Sequence, residues 1–241
     1  LYKPVPKGLS YPFPGLTKAT YGLRTSEIVT LGAGTGVGKT ELLKEIILHL
    51  RTEHDVNVGV IFLEEMFDYT RRCLAGKFMN KLLHVPDAKF EREEMEDALN
   101  KLGGPKRDKI QFYDHFGHMD GDSIIEIIRH MVVGGGCKFI FLDHISALVS
   151  GVIGSEREML DKLCTDFASL CRELDFGLIM ISHLATADGT PHEEGGRVML
   201  EHMRGSRAIG QWSNFVLGLE RDQQNPEARN QTTLRILKDR F

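Results

Sequence analysis

This 241-residue sequence lacks long apolar runs, paired cysteines, low-complexity tracts and an excess of one charge. No stretch approaches the roughly 20 apolar residues of a membrane-spanning helix, so no membrane segment is read. The thiols Cys73, Cys137, Cys164 and Cys171 form no C-x-x-C pair. They lie inside apolar strand- or helix-like patterns and read as reduced core or near-core thiols, which fits an intracellular, reducing compartment. No secretory leader is legible at the start. Lys and Arg number 30 against 34 Asp and Glu, a net charge of −4 that speaks against a surface basic all over, so any contact with nucleic acid has to be local. There is no internal repeat.

What is present reads as one α/β domain of ordinary globular composition. Residues 1–21 carry Pro4, Pro6, Pro12 and Pro14 with little periodicity and are expected to form an extended, linker-like arm. Residues 22–241 then form the domain proper. Leu1 in place of a methionine suggests a piece excised from something longer. Near-continuous apolar runs at 28–31, 58–63, 138–143 and 178–181 read as strands covered on both faces. Further strands are expected at 110–114, 215–220 and 232–237. Helical spacing of apolar residues marks 41–50, 69–83, 91–102, 124–131 and 160–174. Alternating strands and helices imply a mainly parallel twisted sheet with right-handed crossovers and flanking helices.

The first strand runs into Ala33-Gly34-Thr35-Gly36-Val37-Gly38-Lys39-Thr40, and a helix follows at once. Glycines let successive N–H groups converge on phosphates at a helix N-terminus, Lys39 adds a cation, and the Thr40 hydroxyl suits Mg2+. The usual first glycine of such a loop is here Ala33. Asp143 ends a buried strand downstream, where an acid can anchor the magnesium of an NTP substrate. Glu64 and Glu65 end another strand. Either can orient an attacking water, with Glu64 nearer the strand end, or both can simply open the next helix. His183 ends a third strand and is either a sensor of the γ-phosphate or an ordinary turn histidine. His115 and His118 lack a third ligand and read as a polar turn. Arg204-Gly205-Ser206-Arg207 is either a phosphodiester grip or a basic turn. Lys238 and Arg240 leave the last strand as either an arginine-finger pair for a neighbouring subunit or a charged strand end.

Taken together, these stations resemble the RecA-like motor domain of hexameric DnaB-type replicative helicases. They are particularly similar to the helicase half of the fused primase-helicases of short-tailed (T-seven-like) phages, to which mitochondrial Twinkle is related. Carrying the resemblance are Gly34 to Thr40, Phe62-Leu-Glu-Glu65, Ile140-Phe-Leu-Asp-His-Ile-Ser146, Ser182-His-Leu184, His192-Glu-Glu-Gly195, Arg204-Gly-Ser206, Leu219-Glu-Arg-Asp-Gln-Gln224 and Arg235-Ile-Leu-Lys-Asp-Arg-Phe241, in family order.

The resemblance implies a P-loop NTPase with Lys39 and Thr40 on phosphate and Mg2+, Glu64 as base, Asp143 as the Walker B acid and His183 as sensor. Gln211 would couple nucleotide state to DNA. Arg240 would be a finger acting in trans, with Lys238 and Arg221 beside the neighbour's nucleotide. It further implies a homo-oligomeric ring, a hexamer, that hydrolyses ATP or dTTP to translocate on single-stranded DNA during replication. A linked primase, a replicative polymerase partner and the cytoplasm of a phage-infected bacterial cell follow from the same likeness. One departure is that residues 185–191 contain no lysine, where the phage family grips DNA. His192, Arg197, Arg204 and Arg207 are left as grips, and the expectation is weaker or more salt-sensitive binding. A recombinase of the RecA or RadA kind, and a nucleotide-binding switch module without turnover, are the alternatives.

Overall fold

The computed structural model describes residues 7–104, 108–114, 121–149, 155–185, 189–204 and 206–241, with Ser206 described in its backbone only. In chain order the elements are α1 (Pro14–Thr20), β1 (Ile28–Ala33), α2 (Lys39–Glu53), β2 (Val58–Phe62), α3 (Phe67–Met79), α4 (Arg92–Gly103), β3 (Ile110–Tyr113), α5 (Gly121–Arg129), β4 (Phe139–Asp143), α6 (Glu156–Leu174), β5 (Gly177–His183), α7 (Ser206–Trp212), β6 (Phe215–Glu220) and β7 (Thr233–Asp239). The strands form one sheet in the order β3-β2-β4-β5-β1-β6-β7. All neighbours pair in parallel except β6 with β7, which are antiparallel. This is the mainly parallel α/β sheet expected of alternating strands and helices.

The apolar runs fold as strands because both faces of the sheet are covered. Val58, Val60 and Phe62 pack on one side with Leu43, Ile46, Ile47 and Leu50 of α2. Ile61, Ile140 and Leu142 pack on the other with Ile124 and Ile128 of α5 and Leu163 and Phe167 of α6. Successive residues of a strand point to opposite faces, so a run that meets helices on both sides has to be apolar throughout. The edge strand β7, by contrast, is only half-buried.

Three local features depart from the sequence reading. The arm is not extended throughout: Pro14 starts α1, whose Leu16 and Thr20 are buried, and Leu9 pairs with Leu23. A proline costs nothing in the first turn of a helix, where its missing N–H has no partner to lose. The helix read over 69–83 stops at Met79, because Asn80 takes a left-handed conformation (φ 54°) and its N–H returns to the carbonyls of Gly76 and Lys77. The helix read over 124–131 starts at Gly121 and widens into a π-turn over His130–Gly134 before the glycines end it.

Parallel pairing has one consequence for function. The carboxyl ends of β1, β2, β4 and β5 lie along a single rim, with Ala33 beside His183 and Phe62 beside Asp143. Open α/β sheets hold their ligands at such a rim.

Candidate active site

The phosphate loop crosses the rim from β1 to α2. Gly36 and Gly38 have φ of 73° and 107°, left-handed values that a side chain would strain. Val37 is buried and anchors the loop in the core, while Gly34 leaves no room for a Cβ, which would lie 2.8 Å from Glu193 Oε1 and 2.9 Å from His192 Cβ. Thr35 lies at the exposed apex, and Lys39 opens α2 half-buried.

Thr40 and Asp143, 103 residues apart, meet: the Thr40 hydroxyl donates to Asp143 Oδ2 at 2.5 Å. Asp143 is 2% exposed and its Oδ1 is buried without a hydrogen-bond partner. Burial pushes its pKa above the usual carboxylate value, against the Thr40 hydrogen bond and the Lys39 charge. A buried carboxylate oxygen left bare beside a hydroxyl fits a hard, oxygen-seeking divalent cation, so the residues suit Mg2+.

The two glutamates separate cleanly. Glu65 is held by the fully buried Lys44 ammonium at 2.8 Å and accepts from the Thr70 hydroxyl at 2.9 Å. Glu64 is half exposed, and its carboxylate faces His144 Nε2 at 3.1 Å and His183 Nε2 at 3.9 Å. The imidazoles of His144 and His183 stack with centres 3.7 Å apart. Among the described residues, Glu64, His144 and His183 form the one cluster of three His, Cys or acidic groups close enough to share an ion, their ligand atoms within 4.8 Å. Burial, then the charges of His144 and Lys39, hold the His183 pKa down to about 4, which keeps its imidazole neutral at physiological pH.

His183 is also tied to the basic segment. Arg204 N–H donates to the His183 carbonyl at 3.0 Å, and Ser182 Oγ donates to the Arg204 carbonyl at 3.2 Å. The Arg204 guanidinium stays exposed, as do Arg197 and Arg207. Gly205 lies outside the described residues, as do His115, His118 and the side chain of Ser206.

The basic residues expected beside a neighbour's nucleotide are split by the sheet. Lys238 pairs with Val216 at the amino end of β6, and its ammonium donates to the Ser213 carbonyl at 2.5 Å. Arg240 follows at the same end and donates to the Gln211 carbonyl. Arg221 sits past the carboxyl end of β6 instead. There it lines a cavity of about 580 Å3 with Val37, Gly38, Leu42, Leu219 and Ile236, beside its own chain's loop. Arg221 therefore departs from the grouping with Lys238 and Arg240. A larger cavity of about 810 Å3, among Phe67, Leu74, Leu102, Phe112 and Met131, is mainly apolar and includes no residue of the loop.

Two residues of the rim escaped the sequence reading as individuals. His144 follows Asp143 directly, and nothing in the order of residues shows that its ring turns toward Glu64. Glu193 accepts from the Thr35 N–H at 2.8 Å, which holds its pKa below the ordinary value; its one signal is membership of the segment His192-Glu-Glu-Gly195.

Solved structures similar to this chain include a DnaB-like replicative helicase described with its interactions with primase, with a TM-score of 0.76 at 20% identity, covering 97% of this chain and 58% of that one. A KaiC-like protein from the hyperthermophilic archaeon Pyrococcus horikoshii gives 0.68 at 20%, covering 98% and 90%. At such identities the likeness establishes the fold. In sequence, the chain is 33% identical over 234 residues to the DNA helicase/primase of Enterobacteria phage T3, covering 94% of this chain and 41% of that protein. It is 23% identical over 239 residues to the replicative DNA helicase DnaC of Bacillus subtilis, covering 95% and 51%. The chain thus spans about half the length of these curated relatives. The family model described as DnaB-like helicase C terminal domain matches residues 8–241. With its phosphate loop, acids and histidines gathered on one rim inside that match, the chain belongs to the DnaB-like helicase C-terminal domain family.

Proposed function

We propose that this chain is the motor of a replicative DNA helicase, hydrolysing an NTP, ATP or dTTP, to move along single-stranded DNA. The observation that carries the reading is the pairing of an imidazole-held Glu64 with the Thr40–Asp143 contact on the same rim. Lys39 and the loop N–H groups hold the phosphates, and the nucleoside lies over the cavity flanked by Arg221. Thr40 and Asp143 hold Mg2+, which supplies charge neutralisation on the phosphates when bound. Glu64 orients and polarises the attacking water, and His144 fixes the carboxylate that does so. His183, neutral and stacked on His144, is assigned to sensing the γ-phosphate. Through the backbone bonds to Arg204, a shift of His183 reaches the exposed cations, Arg197, Arg204 and Arg207, that we assign to the DNA backbone. Gln211, whose carbonyl accepts from Arg240, is assigned to coupling nucleotide state to DNA.

Arg240 and Lys238 act on the nucleotide of the next subunit in a ring, which we take to be a hexamer. Residues 22–241 are the motor, and residues 1–21 are a linker or arm. A primase and a polymerase are proposed partners of the whole protein, which acts in the cytoplasm of an infected bacterium.

Hydrolysis measured with and without single-stranded DNA, for the chain and for Glu64→Gln, tests the reading. A DNA-stimulated rate lost in the variant, with nucleotide affinity retained, is the expected result. A chain that binds nucleotide and has no turnover to lose is a switch module instead.

A further inference from the structure

The segment His192-Glu193-Glu194-Gly195 has no task in the reaction above, yet it lies against the phosphate loop. Glu193 Oε1 accepts the Thr35 N–H at 2.8 Å. Gln223 closes the contact from the other side: its Nε2 donates to the Thr35 carbonyl at 3.2 Å and its N–H to the Glu193 carbonyl at 3.2 Å. The segment is braced. The N–H groups of Glu194 and Gly196 both donate to the Pro191 carbonyl at 3.0 Å, Glu194 pairs with Asp222, and His192 is 5% exposed. The loop has given up a side chain for this approach, since a Cβ on Gly34 would meet both Glu193 and His192.

A carboxylate is a strange neighbour for a loop whose ligand is a polyanion. The Thr35 N–H is a single donor, and it cannot serve Glu193 and a phosphate oxygen at full strength together. Like charges that close also repel. On the phosphate-loop reading, a diphosphate would be met by the N–H groups where α2 begins, and a triphosphate would reach further along the loop to this contact.

We propose that Glu193 and Gln223 form a clasp on Thr35 that competes with the nucleotide for the loop and must open for a triphosphate to seat, so that Glu193 sets the preference between triphosphate and diphosphate. The clasp rests on the phosphate-loop reading given above. It makes Glu193 a specificity-determining residue that touches the same backbone as the substrate while contributing nothing to the chemical step.

The test is calorimetric titration of the chain with inorganic tripolyphosphate and with pyrophosphate, probes that carry no base preference, alongside Glu193→Gln, Gln223→Ala, Glu194→Gln and Lys39→Ala. Glu193→Gln is expected to bind tripolyphosphate about tenfold more tightly and to change pyrophosphate by less than about threefold. Gln223→Ala, which removes the other half of the clasp, is expected to move tripolyphosphate in the same direction. Glu194→Gln changes the net charge equally without touching Thr35 and is expected to leave both affinities alone. Glu193→Gln no tighter than the parent chain overturns the clasp, and so does an equal gain in Glu194→Gln, which would be a field effect only. Binding that survives Lys39→Ala unchanged, or no binding by any chain, overturns the phosphate-loop reading itself and the clasp with it.

Discussion

His144 holds the proposed base, with Nε2 3.1 Å from Glu64. Removing it leaves the Glu64 carboxylate free to swing into solvent while the loop and the Thr40–Asp143 pair stay in place. His144→Ala is therefore expected to lower kcat by about 10–100-fold with nucleotide affinity unchanged, as read by single-turnover hydrolysis beside equilibrium binding. An equal loss of affinity would assign His144 to binding. His183 makes a second prediction, in pH. In the folded chain its pKa is depressed to about 4 from an ordinary 6.5. The unfolded chain thus takes up the proton first, between those values. The stability His183 contributes is fully present above about pH 6.5 and is lost as pH falls toward 4. A thermal-denaturation series over that window should fall less steeply for His183→Asn than for the parent chain.

At the scale of the element, the phosphate loop has no room at Gly34, where a Cβ has to displace the backbone-fixed His192 Cβ at 2.9 Å as well as the Glu193 carboxylate. Gly34→Ala is expected to weaken nucleotide binding at least about tenfold, measurable by the same titration. α1 makes a stability prediction: Leu16 is buried in the core cluster under α2, and Leu16→Ala should cost about 2 kcal/mol in urea denaturation. The buried strands and the loop were legible because their demands are local: a strand covered on both faces must be apolar, and a phosphate cradle must be glycine-rich. α1 was misread because four prolines in the first 14 residues suggest an extended chain, although Pro14 occupies the one helical turn that accepts it. The preference for Glu64 over Glu65 rested in sequence on strand-end position alone; what separates them in the fold is Lys44, 21 residues before Glu65, whose buried ammonium claims Glu65. Glu193 was out of reach for the same reason: its partner Thr35 lies 158 residues away.

For the whole molecule the deciding fact is which end of the sheet each cation occupies. β7 returns antiparallel along β6, so Lys238 and Arg240 are delivered to the amino end of β6 while the phosphate loop lies at the carboxyl ends. Six residues of β6 separate the two ends, about 17 Å at the usual rise of a strand. Arg240 is held at its end by the Gln211 carbonyl and by Phe241, whose ring lies 4.7 Å from the Arg24 guanidinium. It lies at the opposite end of β6 from its own chain's phosphate loop, and if it serves catalysis it does so in a second copy. That dependence can be measured by mixing. Lys39→Ala removes the loop cation and Arg240→Ala the finger, and each chain alone is expected to be inactive. In a ring assembled at random from equal amounts, an interface works only when an intact loop meets an intact finger, which happens at about one interface in four. The mixture should recover about a quarter of the parent rate or less, the shortfall measuring how far neighbouring interfaces depend on one another. A mixture as inactive as its parts, while size-exclusion chromatography shows mixed rings, would confine Arg240 to a structural role at the end of the sheet and leave the trans contribution to Lys238.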